Sequence, residues 1–252
     1  MGGEGFYRGT SILVSGTSGT GKSSVAASFI NAACSRGERS VYVSYEESQS
    51  QIIRNMQSIG IDLQQWIKQK MLNFHTIRVT THGLEKHFFL LRKLIESFCP
   101  QVIAVDPLGN LLELGTQQEV KNTLAMLIDF LKMKSVTAIF TDLTAGGRPT
   151  ESTKIAISSL MDTWLLLRNI EPNGERNRVL YILKSRGMDH SNQVREFIIS
   201  SNGINLRDVY VGPGGVLTGT ARYTREAQEE SVRKHRMREI ERNKTSWNEN
   251  AE

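Results

Sequence analysis

The sequence predicts an α/β fold: a largely parallel central sheet flanked by helices, with antiparallel strands added at the C-terminal side. Three observations carry that expectation. Apolar, β-branched runs alternate with amphipathic segments from Ser11 to Asp142. A glycine-rich loop lies directly between one such run and the helical pattern after it. Beyond Asp162 the texture changes to strand-like runs separated by turns, with little helix between them.

In chain order, SILVS (11–15) is followed by a helix from Lys22, SVYVSY (40–45) by a helix around Ile52, and then comes MLNFHTI (71–77). A helix from about Leu84 to Phe98 precedes VIAVD (102–106), and another over 119–134 precedes VTAIFTD (136–142). Alternation of this kind builds parallel pairs, because each crossover helix buries its apolar stripe on the sheet it returns to. TWLLLRNI, NRVLYILKSR and REFIISS are separated by PNGE and GMDHSN, and short turns join antiparallel neighbours, so these runs are expected as antiparallel additions. From Thr224 onward apolar residues thin out, and REAQEESVRKHRMREIER reads as an exposed helix or a disordered tail. The expected organisation is one folded domain over 1–220 and a charged tail over 221–252.

Composition narrows the classes. The 252 residues suit one large α/β domain, and 39% hydrophobic with 23% charged residues is ordinary for a soluble protein. No stretch approaches the ~20 apolar residues that a spanning helix needs. The N-terminal MGGEGFYRGT has neither the basic nor the apolar region of a secretory signal, so a cytoplasmic location is expected. Cys34 and Cys99 are isolated and read as buried small residues rather than as a disulfide or zinc site. The net charge of +5 rests partly in the stretch from Arg222 to Lys244, where Arg and Lys interleave with Glu. Mixed signs on a helix mark a solvated face more than a nucleic-acid surface, though such a tail also suits docking to a regulatory protein.

The strongest chemical signal is Gly16-Thr17-Ser18-Gly19-Thr20-Gly21-Lys22-Ser23, which matches G-x-x-x-x-G-K-[ST] after a strand and before a helix. Glycines let backbone N–H groups turn inward around phosphates, and the helix N-terminus adds a favourable dipole. Lys22 reaches the β- and γ-phosphates and Ser23 ligates Mg²⁺. ATP and Mg²⁺ are therefore the expected ligands. VIAVD delivers Asp106 to the C-terminal rim of the sheet, where it would hold the metal directly or indirectly, although buried strands also end in Asp as a turn residue. Glu46 and Glu47, after SVYVSY, suit a general base for the attacking water; alternatively they open the next helix, where acids complement its dipole.

The stretches FYRGTSILVSGTSGTGKS, VYVSYEES, VIAVD, RVLYILKSRGMDH and VREFIIS together resemble the KaiC family of RecA-like ATPases, over roughly residues 3 to 215. VREFIIS and the adjoining Ser158-Ser159 look more like the second of the tandem copies that family carries, so the chain reads as a fragment or a single-copy relative. The resemblance implies a homo-hexameric ring with ATP at each subunit interface and the Glu46-Glu47 pair as catalytic. It implies basic residues supplied in trans from the K-x-R-G pattern Lys184-Ser185-Arg186-Gly187, with Arg178 before it and His190 after. Lys184 and Arg186 show no obvious partner within their own motif, and cations there complement a γ-phosphate as an arginine finger does. It further implies autophosphorylation at Ser158 or Ser159, just before Asp162-Thr163, and a clock-like regulatory switch. The sequence departs from that copy at Thr141-Asp142, where a carboxylate replaces a neutral amide.

Two other readings share the loop and sheet. A DNA-dependent motor needs a basic, aromatic-bearing loop, and Thr144 to Thr153 has only Arg148 and Lys154 nearby. An ATP-binding scaffold with negligible turnover needs only the nucleotide to hold its assembly together.

Overall fold

The computed structural model describes residues 5–144, 155, 157–171, 175–212 and 215–220, with 222, 224, 225, 227, 228 and 231. The charged tail beyond 231 and the loop after Thr144 considered for DNA lie outside them. The chain divides into two compact units, one of Met1–Asn169 with Arg178–Arg207 and one of Ile170–Asn177 with Asp208–Glu252.

The larger unit is built on β1 (Ser11–Gly16), α1 (Lys22–Ser35), β2 (Ser40–Ser44), α2 (Gln49–Gln57), α3 (Gln64–Lys68), β3 (Leu72–Thr76), α4 (Leu84–Phe98), β4 (Val102–Asp106), α5 (Gln117–Met133) and β5 (Thr137–Leu143). After these come β6 (Thr163–Ile170), β7 (Asn177–Ser185), β8 (Arg195–Ser200) and β9 (Gly203–Asp208), whose end residues Ile170, Asn177 and Asp208 fall in the other unit. Among the described residues these nine strands form one sheet in the order β3-β2-β4-β5-β1-β6-β7-β8-β9. In the other unit β10 (Tyr210–Gly212) and β11 (Gly215–Leu217) form an antiparallel pair, and Glu175 accepts hydrogen bonds from the backbone and hydroxyl of Thr220.

Strand alternation assigns the two faces. Leu13, Val41, Val43, Ile103, Val105, Ala138 and Phe140 point one way and pack with α4 and α5. Ile12, Val14, Tyr42, Ala104 and Ile139 point the other way and pack with α1, α2 and the segment leading to β3. Both faces are covered, which is why the central strands read as continuous apolar runs. The buried stripe of α5 is Val120, Leu124, Leu127, Ile128 and Leu131, and the helix opens on a capping box in which Thr116 and Glu119 satisfy each other's backbone N–H. Such a cap stabilises a helix by about 1 kcal/mol.

TWLLLRNI departs from its expected place. As β6 it pairs with β1 in parallel, Ile12 opposite Thr163 and Gly16 opposite Leu167. Its first five residues are buried, the mark of a strand inside a covered parallel sheet rather than at an antiparallel margin. The antiparallel addition begins one strand later. Thr163 meets Ser185 and Arg168 meets Tyr181, so β7 runs back along β6, and β7 pairs antiparallel with β8. Cys34 is buried as expected, but Cys99 is exposed, closing α4 in a left-handed conformation (φ 49°).

Candidate functional site

The glycine-rich loop occupies the turn between β1 and α1, at the C-terminal rim of the sheet. Gly21 ends it with φ 98°, a left-handed conformation, and a Cβ there would lie 2.8 Å from both Phe197 and Ile199 of β8. No side chain caps α1, so its opening N–H groups face outward, the arrangement that receives an anion. Thr20 closes the loop by donating its hydroxyl to the Thr17 carbonyl at 2.9 Å.

Lys22 is the first residue of α1 and is only 8% exposed. Its Nζ donates to the Thr17 carbonyl at 2.8 Å. Burial pushes the ammonium below its ordinary pKa, an effect opposed by the charges of Asp106, then Asp142, then Glu46. A buried cation at the end of this loop sits where a polyphosphate would need it.

Asp106 ends β4 on the α1 face, almost fully buried. Both carboxylate oxygens are held: Tyr42 donates its hydroxyl to Oδ2 at 2.7 Å, and Thr141 of β5 donates to Oδ1. Asp142, fully buried, accepts the Leu143 N–H at 2.9 Å through Oδ1. The oxygen donors Ser23 and Asp106 suit Mg²⁺, which binds through one or two protein oxygens plus phosphates rather than in a cage. Among the described residues no group of three or more His, Cys, Asp or Glu could form such a cage.

Glu46 and Glu47 lie between β2 and α2. The N-cap of α2 is Ser48, which makes a capping box with Gln51, so neither glutamate stands in the first turn. Glu46 is exposed and Glu47 half-buried. Asn55 of α2 donates to Glu47 Oε2 at 3.0 Å, while the Ser44 hydroxyl donates to the Glu47 carbonyl at 2.6 Å. Burial raises the Glu47 pKa above the ordinary value, and Asp106 and Glu46 push the same way against Asn55 and Arg54.

The remaining residues from the sequence divide between the two ends of the sheet. Arg178 opens β7 at the loop end, and its Nε donates to the Gly19 carbonyl of its own chain at 3.3 Å. Lys184 lies near the opposite end of β7 and Arg186 directly after it. There they are not without partners: Lys184 donates to the Ser158 carbonyl and Arg186 to the Ser159 carbonyl, each at 2.7 Å. Burial, then the neighbouring Arg186, lowers the Lys184 pKa. Ser158 is half-buried and Ser159 exposed, in a turn just before β6. Asp162 joins the same end, accepting from the backbone and hydroxyl of Ser11 and from Lys132 Nζ. His190 follows β7, its N–H donating to its neighbour Asp189 at 2.9 Å.

Sequence reasoning missed Tyr42 and Asn55, and noted Thr141 only beside Asp142, not as a partner of Asp106. Tyr42 carried a signal, since a tyrosine inside a buried strand needs an acceptor for its hydroxyl.

A mostly parallel sheet with this loop after its first strand, and antiparallel strands beyond, is the RecA-like P-loop ATPase fold. A model of the KaiC ATPase family matches residues 1–209, and the chain belongs to that family. It is 48% identical over 249 residues to circadian clock protein KaiC2 of Synechocystis sp. (strain ATCC 27184 / PCC 6803 / Kazusa), covering 98% of this chain and 44% of that protein. It is 34% identical over 235 residues to KaiC3 of the same organism, covering 92% and 46%, and 32% identical over 221 residues to the circadian clock oscillator protein KaiC of Thermostichus vulcanus, covering 87% and 43%. The chain thus spans less than half the length of these relatives, and the part it matches is their C-terminal half. Among the described residues no helix is long and apolar enough to cross a membrane.

Proposed function

We propose that this chain is a Mg-ATP-hydrolysing module that works in a cytoplasmic homo-hexameric ring, carries serine autokinase activity, and serves as a regulatory switch read by a protein partner. The observation that carries the reading is the buried Lys22 ammonium on the glycine-rich loop, with Asp106 buried at the end of β4 on the same rim of the sheet and Glu47 held by Asn55. The loop N–H groups and Lys22 bind the phosphates, while Ser23 and Asp106 would hold Mg²⁺. Mg²⁺ held there would neutralise phosphate charge. Glu46 or Glu47 takes a proton from the attacking water, or from a serine hydroxyl that receives the γ-phosphoryl group instead, while the bond from the γ-phosphorus to the bridging oxygen breaks and ADP leaves. The KaiC relatives, printed as circadian clock proteins, support the switch.

The arrangement of cations supports assembly. Lys184 and Arg186 stand at the end of β7 away from their own loop, so a phosphate contact requires another copy. A hexamer stabilised by ATP is expected, because a ligand that binds only the assembled state pulls assembly forward by mass action. Light scattering that reports monomer under saturating Mg-ATP would refute the ring.

Kinase and ATPase are tested together by phosphate release and intact mass after incubation with Mg-ATP. Added phosphate is expected on Ser158 or Ser159, by peptide mapping against a Ser158→Ala/Ser159→Ala double variant. Hydrolysis with no gain in mass makes the chain a plain ATPase. Equal incorporation in the double variant places the acceptor elsewhere.

A further inference from the structure

We propose that Tyr42 is a positioning residue for the metal-facing carboxylate: its buried hydroxyl, opposite that of Thr141, fixes the plane of Asp106 and so the direction in which that carboxylate presents its remaining lone pairs. The inference rests on Asp106 serving Mg²⁺, and adds a residue that neither the loop motif nor the acidic strand end includes.

The geometry is specific. Tyr42 is fully buried in the middle of β2, opposite Ala104 of β4, while Ser44 stands opposite Asp106. The small Ala104 leaves room for the ring to lie along the strand toward the rim. Phe74 of β3 stacks on it, ring centres 4.9 Å apart and planes 5° from parallel. The ring is therefore confined by its neighbours, and its hydroxyl meets Asp106 Oδ2 at 2.7 Å.

A carboxylate turns broadly about its last torsion unless both oxygens are engaged. Here a donor holds each one, from β2 on one side and β5 on the other. Packing alone does not ask for the hydroxyl, since phenylalanine fills the same volume and stacks as well. The hydroxyl contributes where Asp106 is ionised and must point one way.

The test is calorimetric titration of the full chain with ATP, in EDTA and across a series of Mg²⁺ concentrations, for wild type, Tyr42→Phe and Asp106→Asn. Tyr42→Phe keeps the ring and its stacking. Affinity in EDTA, set by the loop and Lys22, is expected to stay within about twofold, while the Mg²⁺ concentration needed for half of the metal-dependent gain rises about 10- to 100-fold, the range for losing an outer partner of a metal ligand. Asp106→Asn is expected to lose that gain at least as severely. Should Tyr42→Phe match wild type while Asp106→Asn loses the gain, the positioning role is wrong and the metal reading stands. Should Asp106→Asn keep the wild-type gain, the metal reading falls and the inference with it. If Tyr42→Phe does not fold, Thr141→Val removes the donor to the other oxygen, with the same expected shift and the same overturning result.

Discussion

Replacing Lys22 by alanine is expected to abolish ATP binding. The ammonium is buried at the mouth of the loop and is the cation that Asp106, Asp142 and Glu46 all act upon. Its loss removes the charge that meets the phosphates and leaves those carboxylates facing a polyanion. Truncating one partner of a buried, hydrogen-bonded charge pair formed on binding costs about 2–5 kcal/mol, and at about 1.4 kcal/mol per tenfold this reaches on the order of a thousandfold in affinity. The loop N–H groups and helix dipole remain, but act as partial charges only. Titration calorimetry with and without Mg²⁺ measures the effect, with the thermal midpoint of the unliganded variant as a check on folding. Wild-type affinity in Lys22→Ala would remove the nucleotide site from this loop.

The double replacement Glu46→Gln with Glu47→Gln is expected to keep ATP binding and slow turnover by at least ~100-fold, the lower range for losing a positioned general base. Glu47 is the better prepared of the two, its carbonyl held by Ser44 and its carboxylate by Asn55. A base works unprotonated. Since burial, with Asp106 and Glu46, raises the Glu47 pKa, turnover should fall on acidification from a higher pH than an ordinary glutamate would give. That acid limb should vanish from the residual rate of the double variant. Unchanged turnover would leave both glutamates as connectors between β2 and α2. Phosphate release under saturating ATP, measured across pH, separates the outcomes.

The loop and the strands leading up to it were legible because their signals are local. Gly16 to Ser23 is a contiguous pattern, and the strands through β5 declare themselves by runs of Val, Ile and Leu. Where β6 goes is not local: whether TWLLLRNI pairs with β1 as well as with β7 depends on which edge the chain reaches after β5, and its burial is known only once both faces are covered. The same limit hid the supports of Asp106, whose hydroxyl donors stand 64 and 35 residues away. Register brings them together, and no short window of sequence contains it. Lys184 and Arg186 were expected to lack partners because carbonyl acceptors leave no trace in side-chain patterns.

The loop at one end of the sheet and the Lys184 and Arg186 pair at the other give this chain unlike poles, about 16 Å apart along β1 alone. In a head-to-tail ring the cation pole of each copy meets the nucleotide pole of the next, so closure, rather than copy number, decides whether every site is complete. An open row of any length strands one nucleotide without cations and one cation pair without a nucleotide. Under the ring proposal, a copy that has lost Lys184 and Arg186 therefore silences its neighbour's chemistry and leaves its own intact.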